Sequence, residues 1–510
     1  MNPKIFAPVL TNAQSADFER AFFAETKTSA RAVIANVGAK IAHCFSEEFG
    51  GFAADDKPIL AALGSGHNAA DALAFLHALA PKNKIVLLAP PRERLKPDTL
   101  FYLEQLEKST DTVFAASVGD IEQTCFALVV EGLSGMSYRP PMRPDMREKI
   151  EFLNAADADL KISIDVPAGV CDTPEADAPR FRADATYATA IAKQCLFENR
   201  EQVGRVRFID VGFFENARPQ THRFVVAQNA LEILAKPRPS VSDKRAFGRL
   251  LAVSGSETYA GAALLNAKAA IRGGCGFVYA CAPENFKPAF CAAEPSVIWL
   301  ECSADESGAH ALENFPEINA MARNADALVC GSGLTRSRES AVLVREILKN
   351  NPDLPAVIDA DSITAETLET AKNRGAVSVI TPHEGEFLRI APDVSDKSLL
   401  ECAKKYGCVV MLKSNMTRIC DGKKIVYSTR GSPALARAGS GDILCALTGA
   451  LLANKNLRRT LAGAELETAA ACVSLAAQWL GIAAERAAAK ATETALAASD
   501  IIENLKYAIR

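Results

Sequence analysis

Short apolar runs alternate with helix-like stretches along most of the chain. Nearly continuous apolar runs are typical of strands buried in a parallel sheet. In the first half, the predicted strands span residues 58–63, 84–89, 112–115, 126–130 and 161–166, with edge strands expected at 183–190 and 205–210. Apolar residues at helical spacing predict helices at residues 13–25, 30–48, 69–79 and 97–108. The alternation predicts an α/β domain whose parallel sheet is covered by helices on both faces.

The same alternation resumes after a polar segment in the middle of the chain. Lys236-Pro237-Arg238-Pro239-Ser240 places two prolines among charges, which predicts a linker. The expected domains are therefore residues 1–227 and 244–510, joined by a linker at 228–243. In the second domain, the predicted strands span residues 249–254, 277–281, 296–300, 326–330, 356–359, 378–381 and 409–412, followed by a hairpin-like pair at 417–420 and 424–428. Helices are predicted at residues 261–271, 443–452, 459–480 and 483–507.

Composition narrows the class of protein. The 510 residues are 49% hydrophobic and 23% charged, and the net charge of −4 does not favour a nucleic-acid partner. The 14 cysteines form no CxxC pair, which favours free thiols in a reducing cytoplasm. No signal peptide is expected after Met1-Asn2-Pro3-Lys4, and charges interrupt the apolar tracts before about 18 residues, so no membrane span is expected.

One glycine-rich stretch carries the clearest chemical signal. Ala438-Gly439-Ser440-Gly441-Asp442 stands directly before a segment that is apolar nearly all round, which predicts a turn that opens a buried helix. Glycine lacks a Cβ, so the backbone here can come close to a ligand. The free N–H groups of a helix start and its dipole favour an anion such as phosphate. We therefore predict an anion hole at Gly439, Ser440 and Gly441, with Asp442 as either a helix cap or a base.

Polar residues recur where predicted strands of the second domain end. Gly333, His383 and Lys413 follow three of these strands, and Asp442 lies further along the chain. Because ligands of open α/β sheets lie outside the carboxyl ends of the strands, these four residues are expected to meet in one cleft. Each has a simpler interpretation as well. Lys413 can be a solvated surface lysine, and His383 a loop residue bonded to a neighbouring carbonyl.

Two further features concern phosphate and metal. Asp359 and Asp361 can approach a hydrated Mg²⁺ or cap a helix at Ser362, and the pattern favours capping. Lys413 supplies a point charge beside backbone donors, which suits a phosphate contact. Together with the anion turn, this set favours phosphoryl transfer, in which Asp442 is the base that orients the attacking hydroxyl.

The ordered set of motifs in the second domain resembles the ADP-dependent NAD(P)H-hydrate dehydratase family, which has a ribokinase-like fold. The resemblance rests on Gly331-Ser332-Gly333-Leu334, Ile358-Asp359-Ala360-Asp361, Thr381-Pro382-His383-Glu384-Gly385-Glu386-Phe387, Val410-Met411-Leu412-Lys413 and the anion turn. Gly255-Ser256, Tyr259-Ala260-Gly261-Ala262 and Arg272-Gly273-Gly274-Cys275-Gly276 extend it over nearly all of residues 240–510. The first domain resembles NAD(P)H-hydrate epimerase, which is commonly fused to the dehydratase in bacteria. The expected fold class is α/β, with a Rossmann-like three-layer domain followed by a ribokinase-like domain.

The resemblance implies repair of hydrated NADH and NADPH. The epimerase interconverts the R and S hydrates, and the dehydratase phosphorylates the hydroxyl of the S hydrate with ADP. Phosphate then leaves, and the products are NAD(P)H, AMP and phosphate. The residues implied to hold the hydrate are Ala262, Gly333, His383 and Asp442, and those implied to hold ADP with Mg²⁺ are Lys413, Ser414, Asn415, Met416, Thr417 and Gly441. Asp442 matches the family's base, Ser414 departs from the usual glycine, and a homo-oligomer is implied.

The N-terminal motifs depart further from their family. The loop His67-Asn68-Ala69-Ala70-Asp71-Ala72 lacks the glycines of the family's Asn-Asn-Gly-Gly-Asp-Gly, and each change adds a Cβ where a pyrophosphate should approach. By position, the implied hydrate-binding residues are Asn68, Asp71, Gly135 and Asp165, with Asp165 also as an acid/base. Asn68, Glu131 and Ala168 are implied as potassium ligands, with Glu131 replacing an aspartate and Ala168 a serine. These departures predict a partly eroded epimerase site with weak or no activity, and turns and helix caps are the alternative role for its polar residues.

Two other functions fit parts of the pattern. A ribokinase-like kinase that uses ATP on a vitamin precursor or sugar would share the anion turn, but the fused first domain and residues 381–386 favour the dehydratase. A nucleotide-sensing scaffold with decayed sites would account for the altered first domain, but the intact turn at residues 439–442 argues against it for the second. A Rossmann dehydrogenase is disfavoured because Gly64-Ser65-Gly66 lacks a third glycine at the required spacing.

Overall fold

The computed structural model describes residues 2–50, 57–123, 125–215 and 217–509. The chain divides into two compact units, one of residues 7–228 and one that contains residues 229–510. The predicted domain limits and the linker at 228–243 stay predictions. The segment predicted as a linker includes a short 3-10 turn, Ala230–Ile233.

The N-terminal unit contains a parallel sheet and its covering helices. Its strands are β1 (Phe6–Leu10), β2 (Ile59–Leu63), β3 (Ile85–Leu88), β4 (Thr112–Ala115), β5 (Cys125–Gly132), β6 (Asp157–Ile164), β7 (Ala185–Thr189), β8 (Ala192–Lys193), β9 (Arg205–Ile209) and β10 (Arg223–Val226). Its helices are α1 (Asn12–Thr26), α2 (Ala30–Phe49), α3 (His67–Leu79), α4 (Pro97–Ser109), α5 (Pro144–Ala155), α6 (Gln194–Glu198) and α7 (Arg200–Val203). Seven strands form one sheet in the order β4-β3-β2-β5-β6-β7-β9.

Both faces of this sheet are covered. Alternate residues of one strand enter different hydrophobic clusters, Ala61 in the first and Leu60 in the second. Helices α2, α3 and α4 supply side chains to the first cluster, and Ile150 of α5 supplies one to the second. Side chains of a strand point alternately to opposite faces of a sheet, so helices lie on both sides. This confirms the predicted three-layer α/β domain.

The prediction of two edge strands was wrong for one of them. β7 lies between β6 and β9, and all five of its residues are buried. The pattern of apolar residues indicated a strand, but it carried no information about which strands flank it. β9 is the strand at the sheet edge, as expected.

The C-terminal unit is built on a second, largely parallel sheet. Its strands are β11 (Arg249–Val253), β12 (Phe277–Pro283), β13 (Ile298–Cys302), β14 (Ala327–Cys330), β15 (Ala356–Ile358), β16 (Ser378–Ile380), β17 (Val409–Leu412), β18 (Arg418–Cys420) and β19 (Ile425–Tyr427). Its helices are α8 (Ala260–Arg272), α9 (Lys287–Ala293), α10 (Phe315–Ala322), α11 (Arg338–Asn350), α12 (Ala365–Lys372), α13 (Glu384–Phe387), α14 (Asp396–Tyr406), α15 (Ser440–Ala453), α16 (Lys455–Leu461), α17 (Glu465–Lys490) and α18 (Ala498–Ala508).

The strand order of this sheet places the chemistry-bearing strand ends side by side. The order is β13-β12-β11-β14-β15-β16-β17-β18-β19. The pairs from β13 to β17 are parallel, and β17 to β19 are joined by antiparallel pairs, as the hairpin-like pattern predicted. The carboxyl ends of β14, β15, β16 and β17 therefore meet at one edge of the sheet.

The last helices begin and end at different residues from those predicted. One helix was predicted at residues 459–480 and another at 483–507, with a break between them. Instead, α17 continues through residues 481 and 482, and the helical structure is interrupted before α17, at residues 462–464, and after it, at residues 491–497. α16 ends at Leu461, and the two residues after it, Ala462 (φ +43°) and Gly463 (φ +143°), leave the helical conformation. Gly481 lies inside α17, where glycine is required because a Cβ would lie 2.6 Å from the backbone of Arg430.

Among the residues that the structure describes, α17 is long and apolar enough to cross a membrane by length and composition, and 78% of its most apolar window is buried inside the protein. It packs against α15 and α18, as a core helix does. The cysteines are free thiols, as expected, and all but Cys125 and Cys291 are buried.

The packing of α15 on β11 and β14 gives a stability prediction. A Cβ at Gly449 would lie 2.3 Å from Val329 Cγ2 and 3.0 Å from Leu250 Cδ1. We predict that Gly449→Ala lowers the free energy of unfolding by about 1–3 kcal/mol through overpacking, although alanine is the better helix former. Urea unfolding followed by circular dichroism measures the change.

Gly261→Ala in α8 is the matched control, because an added Cβ there meets no described atom within 4 Å. The free energy of unfolding of this variant should stay unchanged or rise by up to about 1 kcal/mol. Equal unfolding midpoints for the two variants would contradict the prediction.

Candidate active site

The predicted anion turn is present at the start of α15. Gly439 is the N-cap residue with φ +94°, and a Cβ there would lie 2.7 Å from Leu265 Cδ1, so the position requires glycine. The Ser440 hydroxyl donates to the carbonyls of Leu435 (2.8 Å) and Arg437 (2.9 Å), which fixes the turn. No side chain caps the helix start. The Ser440 N–H donates to the Arg437 carbonyl at 3.5 Å, and the other amides of the first turn are available to an anion.

Asp359 is the centre of a hydrogen-bond network at the strand ends. Its Oδ1 accepts from Thr381 Oγ1 (2.5 Å) and Lys413 Nζ (3.0 Å), and its Oδ2 accepts from Ser332 Oγ (2.9 Å). The side chain does not cap the following 3-10 turn, Ala360–Ser362. The preference for capping was therefore wrong for Asp359, because a buried carboxylate binds the nearest cation and hydroxyls.

Lys413 directly follows β17 and lies beside the anion turn. Its Nζ is 3.3 Å from the position that a Cβ on Gly441 would occupy. The backbone N–H of Lys413 donates to the Pro382 carbonyl at 2.8 Å. The backbones of Lys413 and His383 also pair as a single parallel β-bridge. Burial alone would lower the pKa of Lys413, but Asp359 and Glu386 outweigh burial and raise it. Lys413 is thus a cation held next to an anion-binding turn.

His383 caps the short helix α13 through a reciprocal pair of bonds with Glu386. Its Nδ1 accepts from the Glu386 N–H at 3.2 Å, and its own N–H donates to Glu386 Oε2 at 2.9 Å. The ring proton is therefore assigned to Nε2. The side chain is 60% exposed, and its Nε2 lies 3.4 Å from Glu386 Oε1. The structure thus shows a capping role in place of the alternative interpretation, a bond to a neighbouring carbonyl.

Asp442 lies in the first turn of α15. The backbone carbonyl of Asp442 accepts from Asn266 Nδ2 at 3.0 Å, which ties α15 to α8. Burial and then the negative charge of Asp359 raise the pKa of Asp442 to about 6, and Lys413 opposes the shift. A carboxyl that titrates near neutral pH is suited to accept a proton from a hydroxyl.

Ala262 and Gly333 lie in contact. Gly333 has φ +69°, and a Cβ there would be 2.8 Å from Ala262 Cβ and 3.1 Å from Tyr259 Cβ. Tyr259 is 57% exposed beside them. Of the predicted hydrate-binding residues, Ala262 thus lies against Gly333, and His383 pairs with Lys413, which was predicted to hold the nucleotide.

The segment predicted to hold the nucleotide forms the turn between β17 and β18. Ser414 Oγ donates to the Met416 carbonyl at 2.8 Å, and the Ser428 N–H donates to the Thr417 carbonyl at 3.0 Å. Asn415 is exposed and Met416 is buried. These bonds give Lys413–Thr417 a defined shape next to the anion turn.

Asp359 and Asp361 do not form a prepared magnesium site. The oxygens of Asp359 are occupied by the lysine and hydroxyl donors described above, and Asp361 pairs with Arg336 (3.3 Å) and Arg389 (3.8 Å). Within the described ranges, no group of three or more His, Cys, Asp or Glu side chains is placed to hold a metal ion. Mg²⁺ keeps several waters and is often held through substrate phosphates, which this arrangement permits.

A second polar cluster lies in the N-terminal unit around Asp165. This residue directly follows β6 in a left-handed conformation, φ +69°. Its Oδ2 accepts from the Met136 N–H at 3.1 Å, and its Oδ1 accepts from Thr189 Oγ1 at 3.2 Å and from Lys193 Nζ. The Lys193 side chain is only 1% exposed. Asp165 is therefore held by a buried cation, a hydroxyl and a backbone amide.

The other implied hydrate-binding residues of this unit surround Asp165. A Cβ at Gly135 would lie 2.9 Å from Asn68 Oδ1 and 3.1 Å from Asp165 Oδ2, so the three residues are adjacent. Both polar atoms of the Asn68 side chain are buried without a protein hydrogen-bond partner. Burial and then the charges of Asp165 and Glu19 raise the pKa of Asp71 well above its usual range. The cluster thus contains an unsatisfied amide and a carboxyl that favours its protonated form.

Two of the three predicted potassium ligands, Glu131 and Ala168, are bonded to protein groups instead. Glu131 accepts from the Leu133 N–H (2.7 Å), Ser163 Oγ (2.8 Å) and the Ala168 N–H (3.1 Å). Burial raises the pKa of Glu131 to about 7. Ala168 presents a donor to Glu131, and a donor repels a cation. Glu131 and Ala168 therefore bind each other, whereas Asn68 Oδ1 is buried without a protein partner.

Three alanines that were expected to weaken the N-terminal site do not point into it. Ala69, Ala70 and Ala72 replace the family's glycines, and their added methyl groups were expected to narrow the pyrophosphate site. All three are at most 1% exposed and belong to the hydrophobic cluster beneath α3. Their side chains pack into the domain core, because the helix begins at His67 and turns this face toward the sheet.

Some residues of both clusters were not among the predicted site residues. They are Ser332, Thr381 and Glu386 in the C-terminal unit, and Glu19, Thr189 and Lys193 in the N-terminal unit. Thr381 and Thr189 stand at the ends of strands, where polar residues had already been recognised as informative in the second domain. The same rule applied to the first domain would have identified Thr189 and Lys193.

Comparison with known proteins gives matches over both units. A family model described as NAD(P)H-hydrate dehydratase matches residues 250–506, and one described as YjeF-related protein N-terminus matches residues 30–195. A bifunctional NAD(P)H-hydrate repair enzyme from Gloeobacter violaceus is 32% identical over 444 residues, which cover 83% of this chain and 85% of that protein. The corresponding enzyme from Moorella thermoacetica is 27% identical over 528 residues, with 98% and 96% covered.

Solved structures resemble a little over half of the chain. A ribokinase-like superfamily protein from Enterococcus faecalis is 21% identical with a TM-score of 0.48, and the match covers 57% of this chain and 96% of that one. An ADP/ATP-dependent NAD(P)H-hydrate dehydratase from Bacillus subtilis, co-crystallised with ATP/Mg²⁺, is 24% identical with a TM-score of 0.42, and covers 54% and 94%.

The environment of Asp442 gives a prediction for its titration. In protein labelled with ¹³C at the aspartate carboxyls, the signal that is lost in Asp442→Asn should titrate with a midpoint near pH 6. Asp359→Asn should lower that midpoint, because removal of a nearby negative charge makes ionisation easier. NMR spectra between pH 4 and pH 8 measure both midpoints. A midpoint at the ordinary aspartate value near 3.8 would contradict the prediction.

Proposed function

Because this chain belongs to the family of bifunctional NAD(P)H-hydrate repair enzymes, we propose a chemical role for the residues of each of its two sites. The chain is an enzyme that repairs hydrated NADH and NADPH, with an epimerase domain followed by an ADP-dependent NAD(P)H-hydrate dehydratase. The proposed domain limits are residues 1–227 and 244–510.

Asp442 is the proposed base of the dehydratase. In the reaction, the hydroxyl oxygen of the S hydrate forms a bond to the terminal phosphorus of ADP, and the bond from that phosphorus to AMP breaks. Asp442 takes the hydroxyl proton. Phosphate then leaves with the C–O electron pair, a proton leaves the neighbouring carbon, and the double bond of NAD(P)H is restored. The raised pKa of Asp442 supports this role, since a base works best when its pKa is near the working pH.

The moving phosphoryl group is proposed to lie between the anion turn and Lys413. The observation that carries this proposal is the close approach of Lys413 Nζ to Gly441, 3.3 Å from the position of an added Cβ. Backbone amides and a fixed cation stabilise the negative charge that spreads over the phosphoryl oxygens in the transition state. Gly439 and Gly441 supply amides, together with Ser440, whose N–H makes only a long bond of 3.5 Å to the Arg437 carbonyl.

The remaining roles follow the positions of the residues around this turn. Ala262, Gly333 and His383 are proposed to hold the hydrate, with His383 Nε2 as a donor. Ser414, Asn415, Met416 and Thr417 are proposed to hold the nucleotide beside Lys413. Mg²⁺ enters the proposal only as the partner of the ADP phosphates, since Asp359 and Asp361 are both occupied by protein cations.

In the N-terminal domain, Asp165 is the proposed acid/base of the epimerase. Lys193 and Thr189 hold one of its oxygens. Asn68, Asp71 and Gly135 are proposed to hold the hydrate, and the unpartnered Asn68 amide supports this. Potassium has no place in the proposal, because Glu131 and Ala168 bind each other. The cytoplasmic location and the homo-oligomer stay predictions, which fractionation and light scattering test.

Removal of the base is the first functional test. We predict that Asp442→Asn lowers the rate of ADP-dependent dehydration of the S hydrate by about 10²–10⁴-fold, the usual contribution of a general base. The affinity for ADP should change little, because Asp442 does not hold the nucleotide. Recovery of the 340 nm absorbance measures the rate, and calorimetry measures ADP binding.

Asp361→Asn is the matched control for this test, since it neutralises a carboxylate that pairs with Arg336 and Arg389. Its dehydration rate should equal that of the wild type. Retained turnover in Asp442→Asn would refute the assignment of the base.

A mixture of R and S hydrates tests the epimerase. The motif departures predicted weak or no activity, but the cluster around Asp165 leads us to expect that the wild type with ADP consumes the whole mixture well ahead of spontaneous epimerisation. Asp165→Asn should stop when the S hydrate is spent. The dehydration rate on pure S hydrate is the internal control, because it reports whether the variant is folded. A wild type that itself stops at the S fraction would mean that the first site is inactive.

A further inference from the structure

Four neighbouring strand ends surround one buried carboxylate. β14, β15, β16 and β17 are adjacent and parallel, and Asp359 directly follows β15. The Asp359 side chain is 3% exposed. Its hydrogen-bond donors come from the ends of the other three strands: Ser332 after β14, Thr381 after β16 and Lys413 after β17.

Local structure does not require this arrangement. Asp359 does not cap the turn that follows it, as a strand-end aspartate commonly would. Removing a carboxylate and an ammonium from water is costly, and apolar replacements for a buried ion pair are often neutral or stabilising. The Asp359–Lys413 pair therefore calls for a functional explanation.

The position of the Lys413 ammonium supplies that explanation. Its backbone N–H is fixed by the Pro382 carbonyl at 2.8 Å, and its Nζ is bonded to Asp359 at 3.0 Å. Held at both ends, this flexible side chain keeps its charge beside Gly441, while 21% of the side chain stays exposed to the cleft. A cation whose position is set in advance does not have to be ordered when the phosphates arrive.

We propose that Asp359 is a positioning residue for the dehydratase, which acts through Lys413 by holding its ammonium against the anion turn. Ser332 and Thr381 in turn orient the carboxylate of Asp359. Asp359 itself touches neither the hydrate nor ADP. The inference rests on the proposed function, in which Lys413 binds the ADP phosphates.

A double-mutant cycle between Asp359 and Lys413 tests the proposal. The variants are Asp359→Asn, Lys413→Ala and the double variant, with kcat and KM measured separately for ADP and for the S hydrate. Each single change should lower kcat/KM for ADP by about 10- to 100-fold, the usual range for loss of one charge-assisted contact. The KM for the hydrate should change much less. The rates are compared on the alkaline plateau of each pH profile, where Asp442 is ionised in every variant and its shifted pKa no longer matters. There the double variant should be no worse than Lys413→Ala, because a residue that acts through another adds nothing once that residue is gone.

Two further variants separate positioning from loss of folding. Thr381→Val removes one hydrogen bond to Asp359 and keeps its charge, so it should cause a smaller loss in kcat/KM for ADP that also disappears in the Lys413→Ala background. Asp361→Asn changes a carboxylate two residues away and should behave as the wild type. Thermal unfolding and the KM for the hydrate report whether each variant is folded.

Three results would overturn the proposal. They are wild-type kinetics in Asp359→Asn, losses that multiply in the double variant, and a higher Mg²⁺ concentration for half-maximal activity in Asp359→Asn. The last result would make Asp359 a metal ligand. A wild type without ADP-dependent dehydration would instead refute the proposed function itself.

Discussion

Both sites depend on a buried aspartate that directly follows a parallel strand and is paired with a lysine. The two sets of partners are Asp359 with Lys413 and Thr381 in the C-terminal unit, and Asp165 with Lys193 and Thr189 in the N-terminal unit. A charged carboxylate away from water is tolerated only when it is paired and hydrogen-bonded. Parallel strands bring their carboxyl ends to the same edge of a sheet, so they supply partners that are distant in the sequence.

Each buried aspartate changes the chemistry of a second carboxyl nearby. Burial and the charge of Asp359 raise the pKa of Asp442, and burial and the charge of Asp165 raise that of Asp71. Asp442 and Asp71 therefore hold a proton more readily than an ordinary aspartate does. In each site, the buried aspartate therefore has two effects: it holds a lysine, and it raises the pKa of a second carboxyl that can take part in proton transfer.

Much of the fold was predictable, because strand and helix periods differ and every predicted strand overlaps an observed one. The anion turn was predictable for a local reason, since Gly439 and Gly441 stand directly before an apolar helix. The role of Asp359 was not, because its neighbours in sequence suggested a cap. Its partners Thr381 and Lys413 lie 22 and 54 residues away, and only the strand order brings them together. The packing of Ala69, Ala70 and Ala72 likewise depended on where α3 begins.

The two lysine–aspartate pairs differ in what the lysine can reach. The Lys413 side chain is 21% exposed and adjoins a glycine turn with available amides, so it can neutralise phosphate charge. The Lys193 side chain is 1% exposed, is paired with Asp165 and interacts electrostatically with Asp71 and Glu19, so it has little surface to offer an anionic ligand. The same pairing therefore suits phosphoryl transfer in one domain and proton transfer in the other. This difference matches a dehydratase that needs ADP and an epimerase that has no nucleotide cosubstrate.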